Sequence, residues 1–231
     1  MLGDDAAVAR RGAEHIAGCA RAAAEARGRF AFAVSGGHTP WAMLAELAAQ
    51  DLPWARLELF QVDERIAPAG DPDRNWTHLA QSLLARISLD PARLHPMPVE
   101  DADLEAAAAR YAATLHRVTG SPAVLDLVHL GLGPDGHTAS LVPGDHALAE
   151  VDADVALAGP YQGRRRMTLT YPALDRARSV LWLVTGDDKR EMLARLLRGD
   201  RSIPAGRVRQ DAALVLADRA AAGERSSRRA G

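Results

Sequence analysis

The apolar run Leu125-Asp126-Leu127-Val128-His129-Leu130 stops at Gly131-Leu132-Gly133-Pro134-Asp135-Gly136-His137. Such a density of aliphatic side chains over a few residues reads as a strand buried on both faces, the kind found in parallel sheets. Three glycines and a proline then forbid the strand to continue. A buried strand ending in a glycine-rich turn belongs to an open α/β sheet, and such sheets bind ligands at the carboxyl edge of their strands. At that edge the chain presents an imidazole, His137, with a carboxylate, Asp135, two residues before it. The flanking glycines leave room for a ligand to approach the backbone, whereas the other seven histidines read as ordinary surface or core residues. Thr138-Ala139-Ser140-Leu141 predicts a short helical turn. Because no long helix opens directly after it, the Gly-x-Gly pair is weak evidence for a dinucleotide.

The rest of the chain supports one sizeable α/β domain, since 231 residues with 48% hydrophobic side chains can bury a real core. A formal net charge of -2 and the lack of a basic run interleaved with aromatics argue against a nucleic-acid surface. Cys19 is the only cysteine, which excludes an intrachain disulfide and a cysteine zinc site. No apolar signal core or membrane-length stretch is present, so a cytoplasmic protein is expected, as a monomer or small homo-oligomer. Arginine supplies nearly all the cationic side chains, and Lys189 is the only lysine. A position that keeps lysine in so arginine-rich a chain suggests a need for a compact, mobile ammonium.

In chain order, alanine-rich residues 5–27 predict a long helix stopped by Gly28, and residues 30–34 a strand. Ser35-Gly36-Gly37-His38-Thr39-Pro40 follows, with Pro40 at the first position of a helix over 41–50. Strand, Ser-Gly-Gly-x-Thr loop and helix start in succession gather backbone N–H groups, a dipole end and two hydroxyls, which suits phosphate oxygens. The same residues equally serve a tight turn capped by Thr39. The Walker lysine is missing, so a nucleotide P-loop is not expected. Residues 57–62 predict a second strand with Asp63-Glu64-Arg65 at its end, either as solvated loop charges or as site groups at the same edge as His137. Asn75 is placed to cap a helix to about residue 86. Further strands are expected at 94–99 (short, broken by prolines), 155–158, 167–170, 179–184 and 212–217, and helices at 101–118 and from 187 to 197. The alternation predicts a mostly parallel, Rossmann-like sheet with helices on both faces, in a single domain over 1–219 followed by a disordered tail over 220–231.

With these pieces placed, the chain resembles the 6-phosphogluconolactonase family. Ser35-Gly36-Gly37-His38-Thr39-Pro40 is similar to its SGGxTP loop, Val62-Asp63-Glu64-Arg65 to its VDER strand end, and residues 131–141 to its GxGxDGHTASL signature. Arg166-Met167-Thr168-Leu169-Thr170, Thr185-Gly186 with Lys189, Ile203-Pro204 and Leu216-Ala217-Asp218 follow in family order. The related glucosamine-6-phosphate isomerase/deaminases share the Asp-Gly-His core but carry a glutamate before a proline where this chain has Val142 before Pro143.

The resemblance implies hydrolysis of a phosphorylated sugar lactone, 6-phosphoglucono-δ-lactone, in the oxidative pentose phosphate route, with neither metal nor cofactor. The activated ester demands no covalent nucleophile, and the chain has no G-x-S-x-G elbow and no histidine–carboxylate cluster at metal spacing. His137 is then expected to act as general base on the attacking water, oriented by Asp135 or Asp63, with N–H groups of a helix start after His137 receiving the oxyanion. Substrate binding is expected from Ser35, Gly36, Gly37, Thr39, Arg65, Gly133, Arg166 and Lys189. Arg166 also reads as one of a solvated basic run, Arg164 to Arg166. Two alternatives stand beside this expectation: an amino-sugar phosphate isomerase/deaminase, and a non-catalytic sugar-phosphate binder.

Overall fold

The computed structural model describes residues 1–223. Its strands are β1 (Phe30–Val34), β2 (Leu57–Gln61), β3 (Asp63–Arg65), β4 (Leu94–His95), β5 (Leu127–Gly131), β6 (Val155–Tyr161), β7 (Arg164–Leu169), β8 (Val180–Val184) and β9 (Ala213–Ala217). Its helices are α1 (Asp5–Arg27), α2 (His38–Ala48), α3 (Asn75–Ser82), α4 (Leu104–Thr119), α5 (Tyr171–Asp175), α6 (Arg190–Leu197) and α7 (Arg219–Ala222). Six strands form one sheet in the order β4-β2-β1-β5-β8-β9, every pair parallel. Taken alone these six run 3-2-1-4-5-6, the doubly wound Rossmann order.

Alternation along the strands divides the core between the two faces of the sheet. β1 sends Phe30, Phe32 and Val34 to the face covered by α1 and α2, and Ala31 and Ala33 to the face packed with α4 residues such as Tyr111 and Leu115. The alanines of α1 let that helix lie close: a Cβ built on Gly12 would come within 3.0 Å of the Met43 sulfur. Chain connections leave β1 in one direction and β5 in the other, which opens a crevice between their carboxyl ends. No described helix is long and apolar enough to cross a membrane.

Five expectations need correction. Asp63-Glu64-Arg65 is not loop: it is β3, antiparallel to β7, in a second sheet ordered β3-β7-β6. Arg164 to Arg166 is accordingly not a solvated run but the first half of β7, with Arg166 buried. Thr138 to Leu141 does not begin a helix. Paired backbone bonds between Thr138 and Leu141 close a tight turn in which Ala139 takes a left-handed φ of 52°. Asn75 is the first residue of α3 rather than its cap, and the helix N–H groups of Asn75 and Trp76 donate instead to the remote carboxylate of Glu64. At the end of the chain α7 runs to Ala222, inside the span expected to be disordered; the remainder of that span, 224–231, lies outside the described residues.

Candidate active site

A cleft of about 380 Å³ sits at the crevice between β1 and β5. Ser35, Gly36, Gly37 and Thr39 line it from the β1–α2 connection, Gly131, Gly133 and His137 from the end of β5, and Thr185 and Lys189 from the end of β8. The second sheet closes it from the side with Asp63, Arg65 and Arg166. Of the expected site residues only Asp135 does not line this cleft. It stands behind His137, beside an adjoining cavity that Tyr161 also lines.

His137 is held through one nitrogen. Its Nδ1 lies 2.5 Å from Asp135 Oδ1, and its backbone N–H donates to the same oxygen at 3.1 Å. Partial burial pushes the Asp135 carboxyl up, but the His137 N–H, the imidazole charge and the Tyr161 hydroxyl outweigh it and hold it below the ordinary carboxylate range. Among the described residues Nε2 takes no protein hydrogen bond, which leaves it as the nitrogen free to act in the cleft. Asp63 does not touch the imidazole. Its Oδ2 accepts from Ser140 Oγ at 2.7 Å, its Oδ1 faces Asn75 Nδ2 at 3.4 Å, and Arg166 stands 4.0 Å away.

Gly131, Gly133 and Gly136 stand at the G-x-G-x-x-G spacing, but the helix a pyrophosphate would need is replaced by the Thr138–Leu141 turn. The room at two of the site glycines is used by the protein itself. A Cβ on Gly133 would lie 2.0 Å from His137 Nδ1, and one on Gly36 would lie 1.8 Å from Asn75 Oδ1. Gly37 serves the backbone, with a φ of 131° at the entry to α2.

On the opposite wall α2 begins at Gly37 with no side chain capping its first turn, so its N–H groups and the positive end of its dipole face the cleft. Thr39 Oγ1 is tied to Thr185 Oγ1 at 2.6 Å, linking α2 to the end of β8. Arg65 and Arg166 are direct cross-strand partners in β3 and β7, an arrangement of like charges that costs stability unless an anion meets them. Burial draws the Arg166 guanidinium below its ordinary pKa, and the facing Asp63 partly offsets this. Arg65 Nε, Arg166 Nε and Ser35 Oγ are buried with no hydrogen-bond partner among the described residues. Lys189 is paired with Asp188 at 2.8 Å and also lines the cleft. No group of three His, Cys, Asp or Glu side chains that could hold a metal ion occurs among the described residues.

Three residues outside the expected catalytic and binding set complete the frame. Glu64, fully buried, accepts from Gln61 Nε2 and from the N–H of Arg65, Asn75 and Trp76, and so locks β3 to α3. Asn75 Oδ1 accepts from Arg65 at 2.8 Å. Tyr161, at the tip of the β6–β7 hairpin, donates to Asp135 Oδ2 at 3.2 Å.

A Rossmann-type sheet with a histidine–carboxylate pair and an anion-binding helix start at its switch point defines an α/β enzyme for small phosphate-bearing molecules. The sequence matches the family of glucosamine-6-phosphate isomerases/6-phosphogluconolactonase over residues 3–216, and the chain belongs to that family. A 6-phosphogluconolactonase of Synechocystis is 40% identical over 174 residues, covering 74% of this chain and 72% of its own. One from Streptomyces coelicolor is 40% identical over 219 residues, covering 86% and 83%. The crystal structure of a 6-phosphogluconolactonase from Thermotoga maritima superposes with a TM-score of 0.84 at 28% identity, covering 94% of this chain and 96% of that one.

Proposed function

We propose that the chain hydrolyses 6-phosphoglucono-δ-lactone to 6-phosphogluconate, in the oxidative pentose phosphate route. One observation carries this reading furthest: His137, held by Asp135 from outside the cleft, and three cations with an uncapped helix start line a single cleft. A sugar phosphate needs both ends, and the 6-phosphogluconolactonases of Synechocystis and Streptomyces coelicolor match this chain over 72% and 83% of their own length.

His137 Nε2 takes a proton from water as the water oxygen bonds to C1 of the lactone. Imidazole suits this step because its ordinary titration range brackets neutral pH. Asp135 holds the ring and stabilises the imidazolium that forms, the role a buried carboxylate plays behind other catalytic histidines. The bond from C1 to the ring oxygen then breaks, and that oxygen leaves with the proton from Nε2. The product acid ionises and releases one proton to solvent. Arg65, Arg166, Lys189, the Ser35 and Thr39 hydroxyls and the first N–H groups of α2 hold the phosphate and polar face of the substrate. Neither a metal nor a cofactor has a step in this scheme. The enzyme is taken as cytoplasmic and as a monomer or small homo-oligomer.

The test is proton release from freshly generated 6-phosphoglucono-δ-lactone, corrected for spontaneous hydrolysis, with ammonia release from glucosamine 6-phosphate followed in parallel. Catalysed proton release without ammonia is expected. Ammonia release with no lactone hydrolysis would assign the isomerase/deaminase reaction instead, and binding without either would leave a sugar-phosphate binder.

A further inference from the structure

We propose that Tyr161 is a positioning residue for the catalytic pair: its hydroxyl secures one oxygen of Asp135 so that the other stays on His137 Nδ1. This rests on His137 acting as the base. Tyr161 Oη donates to Asp135 Oδ2 at 3.2 Å, while Oδ1 meets the imidazole at 2.5 Å. The carboxylate is therefore held at both oxygens, and rotation about its Cβ–Cγ bond would break both contacts. The phenol ring also meets the imidazole edge to face, with centroids 5.1 Å apart.

Tyr161 is itself built in. It pairs with Arg164 across the two-residue turn Gln162-Gly163, where both φ angles are positive, as a tight hairpin with the right-handed strand twist requires. Arg164 is anchored to Asp71 and Asp73 at 3.2 and 2.9 Å, and the Arg166 guanidinium lies 5.1 Å from the centre of the phenol ring. The hairpin therefore carries Arg166 into the cleft and Tyr161 to the rear of the catalytic pair. Burial, followed by the Asp135 charge, pushes the phenol above its ordinary pKa, which keeps it a donor across the working range. Tyr161 lines the adjoining cavity with Asp135 and not the cleft, and its hydroxyl is nearer Asp135 Oδ2, at 3.2 Å, than His137 Nδ1, at 3.5 Å, so it acts on the catalytic pair, chiefly through the carboxylate, and not on the substrate.

The test compares wild type, Y161F, D135N and the double variant in full-length protein. Two readouts are taken: steady-state hydrolysis of 6-phosphoglucono-δ-lactone, and the downfield Nδ1–H proton resonance of His137, assigned by its loss in H137A. Y161F keeps the ring and should lower kcat roughly 10-fold, as expected for losing one hydrogen bond to a charged group. KM should stay unchanged, Tm should fall by no more than a few degrees, and the resonance should shift or broaden. In the D135N background the same substitution should cost nothing further. A wild-type kcat with an unmoved resonance in Y161F, a KM rise at constant kcat, or an equal loss in both backgrounds would each overturn the proposal. If wild type hydrolyses no lactone, the proposed function fails on its own, and the resonance alone decides whether Tyr161 positions the pair.

Discussion

The imidazole of His137 lies on the Cα of Gly133, so close that a Cβ there would stand 2.0 Å from Nδ1 and 2.2 Å from Cε1. Gly133 does not need glycine for its backbone angles, and alanine would be acceptable there but for the ring. G133A should therefore fold normally and displace the imidazole. Misplacing a catalytic group by about 1 Å costs on the order of 10²-fold in rate. Circular dichroism with kcat for the lactone checks this: a native spectrum with a rate reduced by about that factor is expected.

Asp135 and Asp63, which the sequence could not separate as partners of His137, differ in what they touch. Asp135 bonds the imidazole, and Asp63 bonds Ser140. D135N should lower kcat by roughly 10²–10⁴-fold with a small change in KM, because the amide no longer holds the required tautomer. D63N should instead lower Tm and spare most of kcat. Kinetics and thermal melts of the two variants, run side by side, distinguish them.

The proposed function gives Lys189 and the α2 start, which line the same cleft, the task of holding the phosphate. K189A should mainly raise KM for 6-phosphoglucono-δ-lactone, with kcat near wild type. For the same lactone without its phosphate, the substitution should change kcat/KM little. Steady-state kinetics with both substrates measures the difference.

Much of this frame was legible in the sequence because it is local. Apolar runs ending in glycine-rich turns marked β1 and β5, and their loops held Thr39 and His137. Two strands of the second sheet, β6 and β7, were also legible; the third was hidden, because β3 is the three charged residues Asp63–Arg65 and becomes a strand only by pairing with β7. The same long-range pairing turned Arg166 from one of a charge run into a buried cleft residue. The glycines around His137 were read as room for a ligand and Gly36 as part of a loop for phosphate oxygens, whereas His137 itself fills the space at Gly133 and the side chain of Asn75 that at Gly36. Tyr161 gave no sequence signal. Its reach to Asp135 depends on the irregularity in β6 between Ala158 and Tyr161 and on the hairpin turn, neither of which a periodicity records.

His129, in the middle of β5, is fully buried with both ring nitrogens unpartnered among the described residues. Burial pushes its pKa down to about 3 from an ordinary value of 6.5. The unfolded chain therefore binds a proton below about pH 6.5 that the folded protein refuses until about pH 3, so stability falls as pH falls through that window. Between pH 7 and pH 5 this group should cost about 2 kcal/mol. H129L should remove that part of the loss and leave no unpaired nitrogen. Urea unfolding of both proteins at the two pH values checks it, and the expected result is a smaller pH-dependent loss in the variant.

The most direct measurement is the hydrolysis rate of H137A with 6-phosphoglucono-δ-lactone, spontaneous opening subtracted. With His137 as the base, kcat should fall on the order of 10²–10⁴-fold while KM stays close to wild type. A variant that hydrolyses the lactone at the wild-type rate would contradict the role given to His137.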